Sequence, residues 1–129
     1  MKITQSLVVL LVVPLLGCAS EVKREQARLS LSTTQETKSL QIVENATVQL
    51  STGYARTIKA GSTWKRAGFL GTREVYSAVN DVFTIEGAHV HEAYLVLDGN
   101  TLIGFYLPGD QAVSWLQHKV TLRIKQTEP

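Results

Sequence analysis

From Gln41 onward, apolar and polar residues alternate along the chain with a period of two. Ala46, Val48 and Leu50 interleave with Thr47, Gln49 and Ser51, and Val120, Leu122 and Ile124 interleave with Thr121, Arg123 and Lys125. Tyr54, Ile58 and Ala60 share one parity, which Arg56 breaks. Successive side chains of a strand point to opposite faces, so this spacing predicts strands half-buried against a core. Turn residues separate the runs: Ala60-Gly61-Ser62 before a strand carrying Trp64, Gly68 and Gly71 around Phe69-Leu70, then Asn80-Asp81. The sharpest local signal is a hairpin over 93–97 and 101–107. Its turn, Asp98-Gly99-Asn100, tolerates the positive dihedrals a tight reversal needs. Pro108-Gly109 stops the second strand, and Asp110 caps a short helix expected near 110–117, with Ala112, Val113, Trp115 and Leu116 as its apolar side. The expected fold is all-β, a small antiparallel sandwich or barrel of about seven or eight strands over residues 41–129.

The hairpin is apolar on both parities. Leu95, Leu97, Ile103, Phe105 and Leu107 form one set, and Tyr94, Val96, Leu102 and Tyr106 the other. A sheet with one wet face needs only one of them. Either the segment containing Trp115 covers the second face, or a partner protein or a second copy does. Tyr94, Val96, Leu102 and Tyr106 are therefore the candidate interaction surface.

Residues 1–40 follow a different pattern. Met1-Lys2 is a short basic start, Leu7 to Leu16 is apolar throughout, and Leu15-Leu16-Gly17-Cys18 closes the run. Ten residues make about 15 Å of helix, half of the roughly 30 Å hydrocarbon core of a bilayer. This order resembles a bacterial lipoprotein signal peptide, with Leu16 standing where a smaller residue is usual. The resemblance implies cleavage after residue 17 and acylation of Cys18 by a thioether-linked diacylglycerol and an N-acyl chain, palmitate-like. Several chains at about 0.8 kcal/mol per buried CH₂ make a firm membrane anchor. Ala19 and Ser20 after the cysteine, rather than Asp, imply the outer membrane in a Gram-negative envelope, with a periplasm-facing domain. Residues 19–40 are polar and rich in Ser, Thr and Gln. They read as a tether of about 25 Å reach, so residues 18–40 are expected to form the acylated cysteine and its linker.

Composition narrows the function classes. The chain has 129 residues and a formal charge of +2, which falls to +1 with loss of Lys2. That suits one domain with a modest core and gives no argument for a nucleic-acid partner. Cys18 is the only cysteine, so acylation would leave neither disulfide nor thiol chemistry. Charge is segregated: 53–73 holds Arg56, Lys59, Lys65, Arg66 and Arg73 with no acid, while 81–110 holds Asp81, Glu86, Glu92, Asp98 and Asp110 with no base. This means either opposed surface regions, the positive one facing phosphate, or cross-strand ion pairing. Trp64 beside Lys65 and Arg66 is read as a core anchor or, alternatively, a carbohydrate platform.

His89 and His91 are the only residues with metal-ligand spacing. On a strand they share a face at roughly 7 Å, with His118 or a neighbouring carboxylate as a third ligand for a divalent metal. They are read first as structural or hydrogen-bonding histidines, then as metal ligands, and last as a proton-linked switch. No nucleophile elbow, zinc-protease helix or phosphate loop is present, and no cofactor is implied. The expectation is a non-catalytic envelope protein that binds a partner or itself. The alternatives are a small-ligand or metal-binding lipoprotein, or a cell-wall glycan hydrolase using Glu86 or Glu92.

Overall fold

The computed structural model describes residues 20–31 and 38–127. The leader over 1–17 and Cys18 lie outside the described residues. Among those described there is no helix. The strands are β1 (Glu25–Gln26), β2 (Ser39–Ile42), β3 (Ala46–Gln49), β4 (Ala55–Ile58), β5 (Thr63–Leu70), β6 (Arg73–Ala78), β7 (Thr84–Glu86), β8 (Val90–Glu92), β9 (Tyr94–Asp98), β10 (Thr101–Leu107), β11 (Ala112–Thr121) and β12 (Ile124–Thr127). The protein is all-β, with an eight-stranded antiparallel sheet ordered β1-β11-β10-β9-β6-β5-β2-β12 and two hairpin sheets, β3-β4 and β7-β8.

The connection from β11 to β12 dictates the sheet's curvature. Six strand spacings separate them across the sheet, about 29 Å if the sheet were flat. Only Leu122 and Arg123 link them in the chain, and so short a link spans about 10 Å. The sheet must therefore curl until its ends approach, which makes the fold barrel-like. Leu122 N–H donates to the Asn100 carbonyl (2.8 Å) and Val43 N–H to the Arg123 carbonyl (2.8 Å), fastening the link to its neighbours. The two hairpin sheets contribute Val48, Ile58 and Ile85 to the enclosed core, beside Leu40, Trp64, Tyr76, Leu95 and Phe105.

A second, smaller core lies on the other face of the sheet: Val75, Val96, Ile103, Tyr106 and Val113, with Ala27, Leu29, Leu70 and Tyr94 packed against it. Two β-bulges explain how one strand serves both cores. Register shifts at Leu102/Gly104 in β10 and at Arg66/Gly68 in β5. A bulge adds a residue on one strand and reverses the facing of the residues beyond it. Leu102 accordingly joins Phe105 and Leu107 in the enclosed core, while Ile103 joins Tyr106 outside it. A strict two-parity reading of the hairpin exchanges Leu102 and Ile103.

Three expectations are corrected here. The short helix near 110–117 is absent; that segment begins β11, the longest strand. Gln111 takes a positive φ of 47° at the reversal, and Ala112 and Val113 then pair with Leu107 and Tyr106. A helix there would strand the backbone groups of β10 in an apolar setting, a cost no cap could offset. The cover over the second face is the N-terminal segment, not the segment containing Trp115. Finally, much of the expected tether is docked. β1 pairs with β11 through Glu25↔Val113 and Gln26↔Ala112, Ser30 bridges Phe69, and Val22 is buried. The alternation Ala27, Leu29, Leu31 is what allows this: Ala27 and Leu29 meet the second core, although Leu31 remains exposed.

Candidate binding cleft and the histidine pair

The tight turn between β4 and β5 and the loop between β6 and β7 enclose an open cleft of about 360 Å³. The turn is rigid for local reasons. Gly61 supplies a φ of 87°, the Ser62 N–H closes onto the Lys59 carbonyl at 3.2 Å, and Gly61 N–H donates to the Ile42 carbonyl at 2.7 Å. Positive φ at the third residue is the type II requirement that glycine satisfies without strain. Asn45 adds a side-chain acceptor for the Ala60 N–H (2.7 Å). Beneath the cleft, Trp64 Nε1 donates to Ser62 Oγ (2.9 Å), which donates to the Lys59 carbonyl (2.6 Å). Trp64 meets Phe83 edge-on at 5.3 Å, and Phe83 stacks on Phe105 at 5.9 Å.

Arg56, the residue that breaks the alternation of β4, lies on this aromatic floor. Its guanidinium carbon sits 4.4 Å above the Phe83 ring, and Nε donates to the Thr84 carbonyl at 2.7 Å. That leaves the two terminal amino groups directed by a fixed fork. Lys59 and Asp81 also line the cleft. Among the described residues none of these three forms an ion pair. A planar guanidinium held in place and lacking a carboxylate is suited to bidentate recognition of an oxyanion. Asp81 keeps the cleft from being uniformly positive and offers an acceptor to hydroxyl or amino groups of a ligand. Ser62 donates its hydroxyl proton to the Lys59 carbonyl, and no histidine lines the cleft.

Arg66, another base of the 53–73 segment, has a different setting. Arg66 (3.1 Å) and Lys38 (3.2 Å) both hold Glu74 Oε1, while Tyr76 donates to Oε2 at 2.8 Å. Arg66 also rests on Phe69, 4.8 Å from its centroid. Arg66 on β5 thus pairs across to Glu74 on β6, an acid outside the 81–110 segment. Trp64 is 2 % exposed, a core anchor and not a platform. Burial pushes the Glu74 carboxyl up, but the hydrogen bonds from Tyr76, Lys38 and Arg66 outweigh it and hold the group below its ordinary 4.5. Tyr76 is raised by burial and by its bond to Glu74. Since the Glu74 pKa is depressed in the fold, its stabilisation is present above about pH 4.5 and is lost as pH falls through the folded value. Melting curves collected between pH 3 and 7 should show Glu74→Gln with a shallower acid decline than the parent; identical slopes would remove Glu74 from that account.

The histidines are held by carboxylates. His89, largely exposed, places Nε2 3.2 Å from Glu21 Oε1. His91, largely buried, places Nδ1 3.2 Å from Asp110 Oδ2, and its buried Nε2 has no partner. Arg24 links the two pairs, 3.5 Å from Glu21 and 3.8 Å from Asp110. Only His91 lies on β8, opposite Ile85, so the shared strand face expected for both is not formed. His118 is exposed on β11, and among the described residues no group of three His, Cys, Asp or Glu is arranged to hold a metal ion. Glu86 and Glu92 are exposed on β7 and β8, outside the cleft.

The candidate interaction surface also moves inward. Val96, Leu102 and Tyr106 are buried, and Tyr94 is half-buried with its ring 6.1 Å from Tyr106. Burial first, then the charges of Glu92 and Tyr106, raise the Tyr94 hydroxyl. These four residues hold the strap formed by residues 20–31 and the enclosed core, so a partner does not meet them as a free face. The cleft is the feature that local pattern could not assemble, although Arg56 on a core-facing parity is its one visible sign. No protein-family model, curated protein or solved structure matches the chain.

Proposed function

We propose that this is a lipid-anchored cell-envelope protein, held at the outer membrane through acylated Cys18. Its β domain is a non-catalytic binding module that captures an anionic group of another envelope component in the Arg56 cleft. The observation that carries the reading is the Arg56 fork: fixed on Phe83 and Thr84, unpaired with any carboxylate among the described residues, and open to a cleft that also holds Lys59. The leader and its cysteine supply the anchor and compartment; the cleft supplies the recognition.

The reading is tested by in-cell photo-crosslinking of the full chain from Val82, on the cleft rim, followed by capture and mass spectrometry. One dominant envelope component is expected, and Arg56→Gln should reduce its capture at least about tenfold, the effect of losing a charge-assisted contact worth roughly 1.5–3 kcal/mol. Arg56→Lys should restore part of it, because the charge returns without the fork. A capture profile indifferent to both substitutions would show that the cleft is not the binding place.

A further inference from the structure

We propose that the end of the domain carrying the turns at 50–54 and 86–90 rests on the lipid headgroups of the membrane that holds Cys18, so that the Arg56 cleft opens away from that membrane. This rests on the lipid-anchor reading above and adds an orientation to it. Chain length is what imposes the orientation. Ser20 is docked, its carbonyl accepting from the Ala88 N–H at 3.2 Å. Glu21 then meets His89 and Val22 enters the core. Cys18 precedes Ser20 by two residues, and a chain spans at most about 3.6 Å per residue, so the two Cα atoms lie within about 7 Å. That is comparable to one headgroup layer, given about 30 Å of hydrocarbon core in a bilayer of about 40–45 Å. Acyl chains on Cys18 therefore bring the surroundings of Ser20 to the headgroups.

Those surroundings are tightly specified. A Cβ at Gly87 would lie 2.9 Å from the Ser20 carbonyl oxygen and from side-chain atoms of Thr52 and Val22, so this glycine is what admits the segment. Thr52 Oγ donates to the Glu86 carbonyl at 2.8 Å, tying the 50–54 turn to the 86–90 turn. The joined end exposes Tyr54 (43 %) and Val90 (66 %), and a tyrosine together with an aliphatic side chain suits the headgroup zone. Glu21, Glu86 and Glu92 also lie there, so attraction to anionic lipid is not the holding force; the covalent anchor is. From Val90 and its partner Glu86 the hairpin runs back to Val82, and from Tyr54 β4 runs on to Ala60. At about 3.3 Å per residue, these put the cleft rim about 13–20 Å further out.

Acylation consumes the only native cysteine, so each added cysteine is a unique labelling position. The purified acylated full chain, carrying an environment-sensitive fluorophore at Tyr54→Cys, Val90→Cys, Ala60→Cys or Val82→Cys, is placed in phosphatidylethanolamine–phosphatidylglycerol vesicles containing headgroup nitroxides. Quenching should be several-fold stronger at positions 54 and 90 than at 60 and 82, and a Gly/Ser insertion of about ten residues between Ala19 and Ser20 should erase the contrast. Val82 and Val90 are matched in residue type and in exposure, 67 % and 66 %. Equal quenching at the two ends of an acylated protein overturns the orientation and leaves the anchor standing. An intact mass without acyl chains on Cys18 overturns the anchor and the orientation with it.

Discussion

Gly68→Val should strip the N-terminal strap from the sheet and lower the melting temperature by roughly 10–20 °C, at about 4–8 °C per kcal/mol for a domain of this size. Gly68 is where the strap's backbone crosses β5. A Cβ there would collide with the Ser30 carbonyl oxygen and come within 3.0 Å of Leu29 Cγ. The obstacle on one side is main chain, which cannot swing aside as a flexible side chain would. Docking at this crossing consists of two hydrogen bonds, Ser30 N–H to the Phe69 carbonyl (2.9 Å) and Phe69 N–H to the Ser30 carbonyl (2.8 Å). To these is added the apolar contact of Ala27 and Leu29 with the second core. Each hydrogen bond contributes about 1 kcal/mol net and the leucine about 1.5–3 kcal/mol, so about 3 kcal/mol is at stake once partial relaxation is allowed. Undocking bares Val75, Val96, Ile103, Tyr106 and Val113. The variant should therefore bind an apolar-surface dye and be cut by trypsin at Lys23, Arg24 or Arg28 before the rest of the domain is touched. An unchanged melting point with a protected strap would show that the crossing accommodates a side chain and that Gly68 has another role.

Trp64→Ala carries the other large effect, a loss of about 3–5 kcal/mol, which corresponds to a fall of roughly 15–30 °C in melting temperature. The indole is among the largest fully buried side chains, and it touches both the enclosed core and the floor of the cleft. Its removal leaves Phe83 without its edge-on neighbour and Arg56 above a ring no longer held from below. Trp64→Phe separates the two contributions. It keeps the edge-on ring but loses part of the buried indole volume together with the Nε1 donation to Ser62, of which the bond accounts for about 1 kcal/mol. Thermal melts of the two variants therefore decide whether the residue acts by volume or by its hydrogen bond; equal losses in both would point to the bond.

The strands that read most clearly in the sequence are those whose two faces have unlike environments. Val48 and Ile58 sit on the parity that faces the core, and Gly99 turns the 93–107 hairpin at a φ of 60°, whereas the alternating run from Val120 to Lys125 is split by the link at Leu122 and Arg123, although Leu122 is still buried. Legibility fails where one strand has two dry faces. In β10 a bulge sends Leu102 inward and Ile103 outward, and periodicity cannot register an inserted residue. It fails again in β11, where Ala112, Val113, Trp115 and Leu116 fit a helical face as well as a strand, and only the unpaired side of β10 decides between them. The strap is hidden for a related reason. A polar segment with three alternating apolar residues is indistinguishable from linker until two distant glycines, Gly68 and Gly87, are seen to leave it room. Of the cleft, the aromatic floor and the cation on top come from four separate elements, so only Arg56 out of phase announces it. The histidine pair is visible as a spacing, but its carboxylate partners lie in the strap and beyond the hairpin, where spacing says nothing.

The strap that begins the described fold pairs with one of the last strands to be made. Glu25 and Val113 are nearly ninety residues apart in sequence, and Ile42 and Ile124 more than eighty. Long-range pairings of this kind must wait for the intervening chain and make folding slow. A chain emerging from a ribosome or an export channel with its N-terminus first holds β1 without its partner until β11 arrives, and β2, which already has β5 on one side, without its second neighbour until β12 follows. During that interval the apolar face of β10 and the open edges of the sheet depend on whatever else is nearby to stay unpaired. The order in which this fold completes itself is thus set by β11 and β12, and loss of those two strands is a route to aggregation even when the lost residues touch no binding site.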